Sequence, residues 1–168
     1  MNRETLIEEA GQLAPVSPQI LEEFTGRREL LAASFNQRFS TRPDLEQLVG
    51  AGNMLMMENN HRNHLRFMES MFTRWNPEVY VDTILWVYRA YRAHGFRLAY
   101  WPAQLDAWIE LFRKELSPEA FAEIEPYYRW ILVRQAAFAA ISDEALREPP
   151  RGFRNMDASL SSDKEVGE

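Results

Sequence analysis

Three times this chain sets a small polar residue directly before a proline: Ser17-Pro18, Asn76-Pro77-Glu78 and Ser117-Pro118-Glu119. In each pair the polar side chain suits an N-cap. The proline suits the first helical position, where its missing N–H is one of the donors that a helix leaves unpaired anyway. The glutamate that follows two of the pairs matches the positive end of the helix dipole. No alternating run competes with these signals as a strand, so the chain reads as all-α.

The remaining punctuation divides it into about seven helices. Asn2 or Thr5 opens a short helix to about Leu13, which Pro15 stops. Pro18 begins a helix that carries Ile20, Leu21, Phe24, Leu31 and Phe35 inward and ends near Phe39, with Gly26 as a potential break. The turn Thr41-Arg42-Pro43-Asp44 leads to a brief helix from Leu45 to Val49, and Gly50-Ala51-Gly52-Asn53 terminates it. A long helix from Met54 to Trp75 follows, then one from Pro77 to His94, where Gly95 is placed to end it in a left-handed conformation. Pro102 marks the next start, with Leu105, Trp108, Ile109, Phe112 and Leu116 on one stripe. In the last stretch Pro126 lies too deep for a first-position proline and predicts a kink or a fresh start. Past Leu146 apolar residues are few, which predicts a disordered tail over 146–168.

The chain has 168 residues, of which 46% are hydrophobic, and this suits one domain that buries roughly 70% of its unfolded surface. It has no cysteine, so thiolate chemistry and disulfides are excluded, in keeping with a reducing cytoplasm. The N-terminus lacks the apolar core of a signal peptide, and no apolar run approaches the ~20 residues that span a bilayer. A net charge of −6 argues against a phosphate-backbone binder. The expectation is a cytoplasmic protein that binds neither membrane nor nucleic acid.

All three histidines fall on apolar stripes. Met54, Met57, His61, His64, Met68, Met71 and Trp75 recur at steps of three and four, which keeps them on one helix face. Tyr80, Ile84, Val87, Tyr91 and His94 repeat the rhythm on the next helix, so the two stripes can face each other. Glu58-x-x-His61 has the spacing of a di-iron bundle, but the second copy such a site requires is missing. His61 and His64 lie one turn apart as in helical zinc sites, with His94 as a third ligand, though methionines are poor company for zinc. The competing expectation is a set of core imidazoles hydrogen-bonded to Tyr80, Tyr88, Tyr91 or Asn60, with the methionines as adaptable filler.

A scan for chemistry finds no Gly-rich phosphate loop, no Gly-x-Ser-x-Gly elbow and no paired metalloprotease histidines around a glutamate. Arg62, Arg66, Arg89 and Arg92 read as a solvated face that pairs with Glu58 and Glu69 rather than as a binding patch. The expectation is that the protein is not an enzyme and has no catalytic residue.

Leu65-Arg66-x-Met68-Glu69, Asn76-Pro77, Tyr91-x-Ala93-x-Gly95, Ala122-Glu123-Ile124 and Tyr127-Tyr128 together resemble segments of the phycobiliproteins, over roughly residues 62–141. The resemblance implies a globin-like helical core, here residues 38–145. It also implies extra N-terminal helices, residues 1–37, through which two copies form a homodimer. The position that would hold a bilin is Thr83, and without cysteine no covalent bilin is possible. The wider globin resemblance offers His94 as a proximal haem ligand, with His64 or His61 distal and Tyr91 nearby. Two readings follow: a regulatory or sensor module without haem or bilin, acting through a small ligand or protein partner, or a haem-binding globin. A third, a partner-binding helical domain whose stripe is only core, predicts that His61→Leu and His64→Leu leave stability unchanged or raise it.

Overall fold

The computed structural model describes residues 1–147. The predicted tail lies outside these residues, apart from 146 and 147, which belong to the last helix. Seven helices and no strand make up the described residues: α1 (Arg3–Ala10), α2 (Pro18–Phe39), α3 (Leu45–Val49), α4 (Met54–Thr73), α5 (Pro77–Ala93), α6 (Tyr100–Glu115) and α7 (Pro118–Arg147). None of them is long and apolar enough to cross a membrane.

Of the three polar-proline starts, two cap their own helix and one does not. Asn76 caps α5 itself, its side-chain oxygen accepting from the Val79 N–H at 3.1 Å. Ser17 makes no such bond to its own helix. Its N–H and hydroxyl instead donate to the Glu123 carboxylate on α7, at 2.7 and 3.1 Å. Ser117 caps α7 itself, its hydroxyl oxygen accepting from the Ala120 N–H at 3.1 Å, and also gives its own N–H and hydroxyl to Glu23 on α2, both at 2.7 Å. Each helix therefore lends a carboxylate to the other's positive end, which suits the dipole. The Ser117 hydroxyl and amide hold the Glu23 carboxyl below the usual carboxylate range.

α2 packs on α4, α6 and α7, while α7 also packs on α5 and α6. α1 lies across α5. Arg3 grips Asp82 there through two bonds of 2.6 and 2.7 Å, and the Arg134 guanidinium of α7 forks onto Glu9 of α1 at 2.7 and 3.1 Å. Arg3 holds the Asp82 carboxyl below its ordinary range. Residues 1–37 thus share the core of the rest: Leu6, Phe24, Leu31 and Phe35 are all buried. That core is largely aromatic. Phe35 stacks on Trp108 with centroids 3.6 Å apart, and Phe24 meets Phe72 edge-on at 5.2 Å.

Several local expectations need correction. Gly26 does not break α2; its backbone is helical and a Cβ there would meet nothing within 4 Å. α7 runs on through Pro126 with no fresh start. Pro126 and Ala122, one turn earlier, are both exposed, so the carbonyl that loses its intrahelical donor lies on the solvent side. α6 begins at Tyr100 rather than Pro102, because a proline in the first turn forfeits no intrahelical bond.

The corner after α3 is tied to the corner after α5. The Asn53 amide donates to the Val49 and His94 carbonyls, both at 2.7 Å, and the Arg97 N–H donates to the Leu48 carbonyl at 2.8 Å. Gly50 makes the approach possible: its φ of 84° is left-handed territory, and a Cβ would lie 3.2 Å from the Gly95 carbonyl oxygen. Gly95 has the left-handed φ expected of it, 102°.

Candidate functional site

A cavity of about 190 Å³ opens between α4, α5 and α6. Because α4 packs on α2 while α5 packs on α7 and α1, the two helices bearing the sequence stripes meet across this space rather than in direct ridge-to-groove contact. From α4 it receives Asn60, His61, Asn63, His64 and Phe67, from α5 Thr83, Trp86, Val87 and Tyr91, and from α6 Tyr100 and Gln104. These fall at helical spacing on each element, as the 3.6-residue period requires.

His61 is buried at 1% exposure and fully bonded. Its Nδ1 lies 2.6 Å from the Asn36 side-chain oxygen and its Nε2 2.8 Å from the Tyr100 hydroxyl. The Asn36 amide nitrogen donates to the Glu58 carbonyl at 3.2 Å, which leaves its oxygen as a pure acceptor toward the ring. His61 is therefore protonated on Nδ1, and its Nε2 accepts the Tyr100 proton. Every member of this chain of bonds has its partner. Burial pushes the imidazole down to about 3, with the neighbouring His64 adding to the shift.

His64 is half-buried, its ring set against Trp108 and edge-on to Tyr128 at 5.4 Å. Nε2 meets the Tyr128 hydroxyl at 2.9 Å, and Nδ1 has no partner among the described residues. Desolvation lowers this imidazole to about 4. Both rings are neutral at pH 7.

His94 does not join them. It is the C-cap of α5, is exposed, and turns its Nδ1 back to the Ala90 carbonyl at 2.8 Å. The inward placement expected for it is corrected, because the α5 stripe ends where the helix does and Asn53 holds the His94 carbonyl outside the cavity. Tyr91 does line the cavity, and its neighbours raise its phenol above the ordinary range through burial. Met54 is also exposed and Trp75 falls past the end of α4, while Met57, Met68 and Met71 are buried.

No cluster of three or more His, Asp or Glu side chains with metal-binding spacing exists among the described residues, so His61, His64 and His94 are not assembled as a zinc set, nor Glu58 with His61 as half of a di-iron site. The arginine face pairs otherwise than expected: Arg66 reaches Glu29 at 3.9 Å, Arg92 pairs with Asp143, and Glu69 pairs with Arg28.

The residue that sequence reasoning missed is Gln104. It is buried at 9% exposure, and no described residue hydrogen-bonds its carboxamide, which borders the cavity and a smaller apolar space of about 50 Å³ behind it. The signal was present: Tyr100, Gln104 and Trp108 are one turn apart on the inward stripe of α6, and a polar residue there calls for a partner. The Asn60 amide nitrogen, unlike that carboxamide, is fully buried without a partner. Trp86 stands at the same cavity with 57% of its surface exposed. None of the eleven lining residues carries a charge at pH 7. Comparison of the whole chain with protein-family models, with curated proteins and with solved structures finds no match.

Proposed function

We propose that this chain is a non-enzymatic regulatory or sensor module of globin-like build whose receptor site for a small ligand is the cavity between α4, α5 and α6. The observation that carries the reading is Gln104, a largely buried residue whose carboxamide borders the cavity and bonds no described residue. Its carboxamide is not one of the fully buried unpartnered groups and opens onto the cavity, so it is free to hydrogen-bond a ligand that enters. Thr83, the counterpart of the bilin-bearing position in the phycobiliprotein resemblance, lines the same cavity, which supports the globin-like reading.

If Gln104 serves a ligand rather than the fold, Gln104→Leu leaves unfolding stability unchanged or raises it by about 1 kcal/mol, since no internal bond is lost. Chemical denaturation of the two proteins reads this directly, and a loss beyond about 2 kcal/mol would assign Gln104 to the framework instead. Hemin gives the second arm. Its visible spectrum is expected to stay that of free hemin on mixing with the protein, whereas a shifted Soret band abolished by His94→Ala would carry the haem reading.

The homodimer belongs to the same proposal. Deleting residues 1–37 is unsuited as its test, because Phe24, Leu31 and Phe35 would leave the core. Leu30 is the large apolar side chain exposed on α2, at 55%. Light scattering of the intact chain is expected to give twice the chain mass, and Leu30→Glu to halve it; a monomeric wild type removes this element.

A further inference from the structure

We propose that the cavity takes an uncharged heteroaromatic base of the purine or pyrimidine type, read on its hydrogen-bonding edge by Gln104 and covered at the mouth by Trp86. The inference rests on the receptor reading above and names the ligand's chemistry.

Charge narrows the choice first. The lining holds no Asp, Glu, Lys or Arg. An ionised group moved into such a space loses its hydration and finds no counter-charge, so carboxylates, phosphates and ammonium groups are disfavoured.

The polar groups present then describe an edge. A carboxamide offers an acceptor and a donor side by side in one plane, and its natural complement is a ring edge bearing the reverse pair, as in a lactam or an amidine. The free Nδ1 of His64 and the Asn60 amide nitrogen lie on the same cavity and supply further sites for ring heteroatoms. A plain arene would leave all three unmet.

The walls describe the faces. Phe67, Tyr91 and Tyr100 surround the cavity, and Trp86 exposes more than half of its surface at the opening. Every nucleobase has a π-face that such side chains accept. Size agrees: a space of about 150 Å³ holds benzene, so the ~190 Å³ here has room for a base, while a nucleotide's sugar and phosphate would have to project through the mouth. The apolar space of about 50 Å³ beyond Gln104 is lined by Met68, Ile84, Leu105 and Ile131 and has room for a methyl-sized substituent.

The test uses the full chain with adenine, hypoxanthine, cytosine, uracil and thymine, each beside its 5′-monophosphate, and toluene as the apolar probe. Thermal shift and quenching of tryptophan fluorescence are the readouts. At least one free base is expected to raise Tm and quench the signal, with its monophosphate at least tenfold weaker. Gln104→Leu should weaken that base at least tenfold, and Trp86→Ala, a change at an exposed position that the fold tolerates, at least fivefold. If no base binds and toluene raises Tm, the edge reading is overturned while the receptor reading stands. If neither a base nor toluene binds and Gln104→Leu also destabilises the chain, both are overturned. Equal affinity for base and monophosphate would place binding outside the cavity and overturn the proposal as well.

Discussion

Between pH 6.5 and 4 the chain is expected to lose on the order of 3–6 kcal/mol of stability through two imidazoles alone. His61 and His64 titrate near 3 and 4 in the folded protein, against 6.5 for the unfolded chain. The unfolded state therefore binds more protons as the pH falls below 6.5. The stabilisation is complete above that value and drains away on acidification until the folded values are reached. The groups facing the two rings are Asn36, Phe35, Phe39, Tyr100, Trp108 and Tyr128, none of which can take up a cation's charge. Carboxylates with lowered values, Asp82, Glu23 and Asp44, add losses of the same sign at more acid pH. Denaturant unfolding at pH 7 and pH 4.5 isolates the histidines. His64→Gln, which can still bond Tyr128, should reduce the difference by about half, and a flat wild-type profile over this window would contradict the burial of both rings.

His61→Leu is expected to destabilise the chain by about 2–5 kcal/mol. The leucine fills much of the volume but strands two buried groups, the Asn36 oxygen and the Tyr100 hydroxyl, each worth about 1–3 kcal/mol when unpaired. Adding Tyr100→Phe removes one of these, so the double variant should be more stable than the sum of the single changes by about 1–2 kcal/mol. A neutral His61→Leu would return the stripe to ordinary core. This outcome separates the network from the expectation that both histidines are interchangeable with leucine.

What could be read from the residues was local. Asn76-Pro77 gave the start of α5, Leu45–Val49 came out at its observed bounds, and Gly95 was placed in the left-handed region, because each rests on the chemistry of neighbouring residues. The stripes placed His61 inward but also His94, since periodicity has no means of knowing that the helix stops at Ala93 and that Asn53 claims the next carbonyl. Long-range partners were not legible. Ser117 caps its own helix as its residues suggest and Ser17 does not, and neither serine's bond to a carboxylate about a hundred residues away, Glu23 or Glu123, was visible in the sequence. Gln104 is a single polar residue on a stripe of leucines and tryptophan, and its place beside a cavity depends on how α4 and α5 pack, which the sequence of α6 does not carry.

The attachment of α1 has a consequence in time. Its buried residues Leu6 and Ala10 lie on a helix that packs on α5, and Glu9 finds Arg134 of α7 across 125 residues of chain. On a ribosome adding about 5–20 residues per second, that partner emerges on the order of ten seconds after α1 does. Until α5 emerges with Asp82, α1 has no partner, and until Arg134 emerges its Glu9 end has none. The molecule closes by folding an early segment back onto a late one.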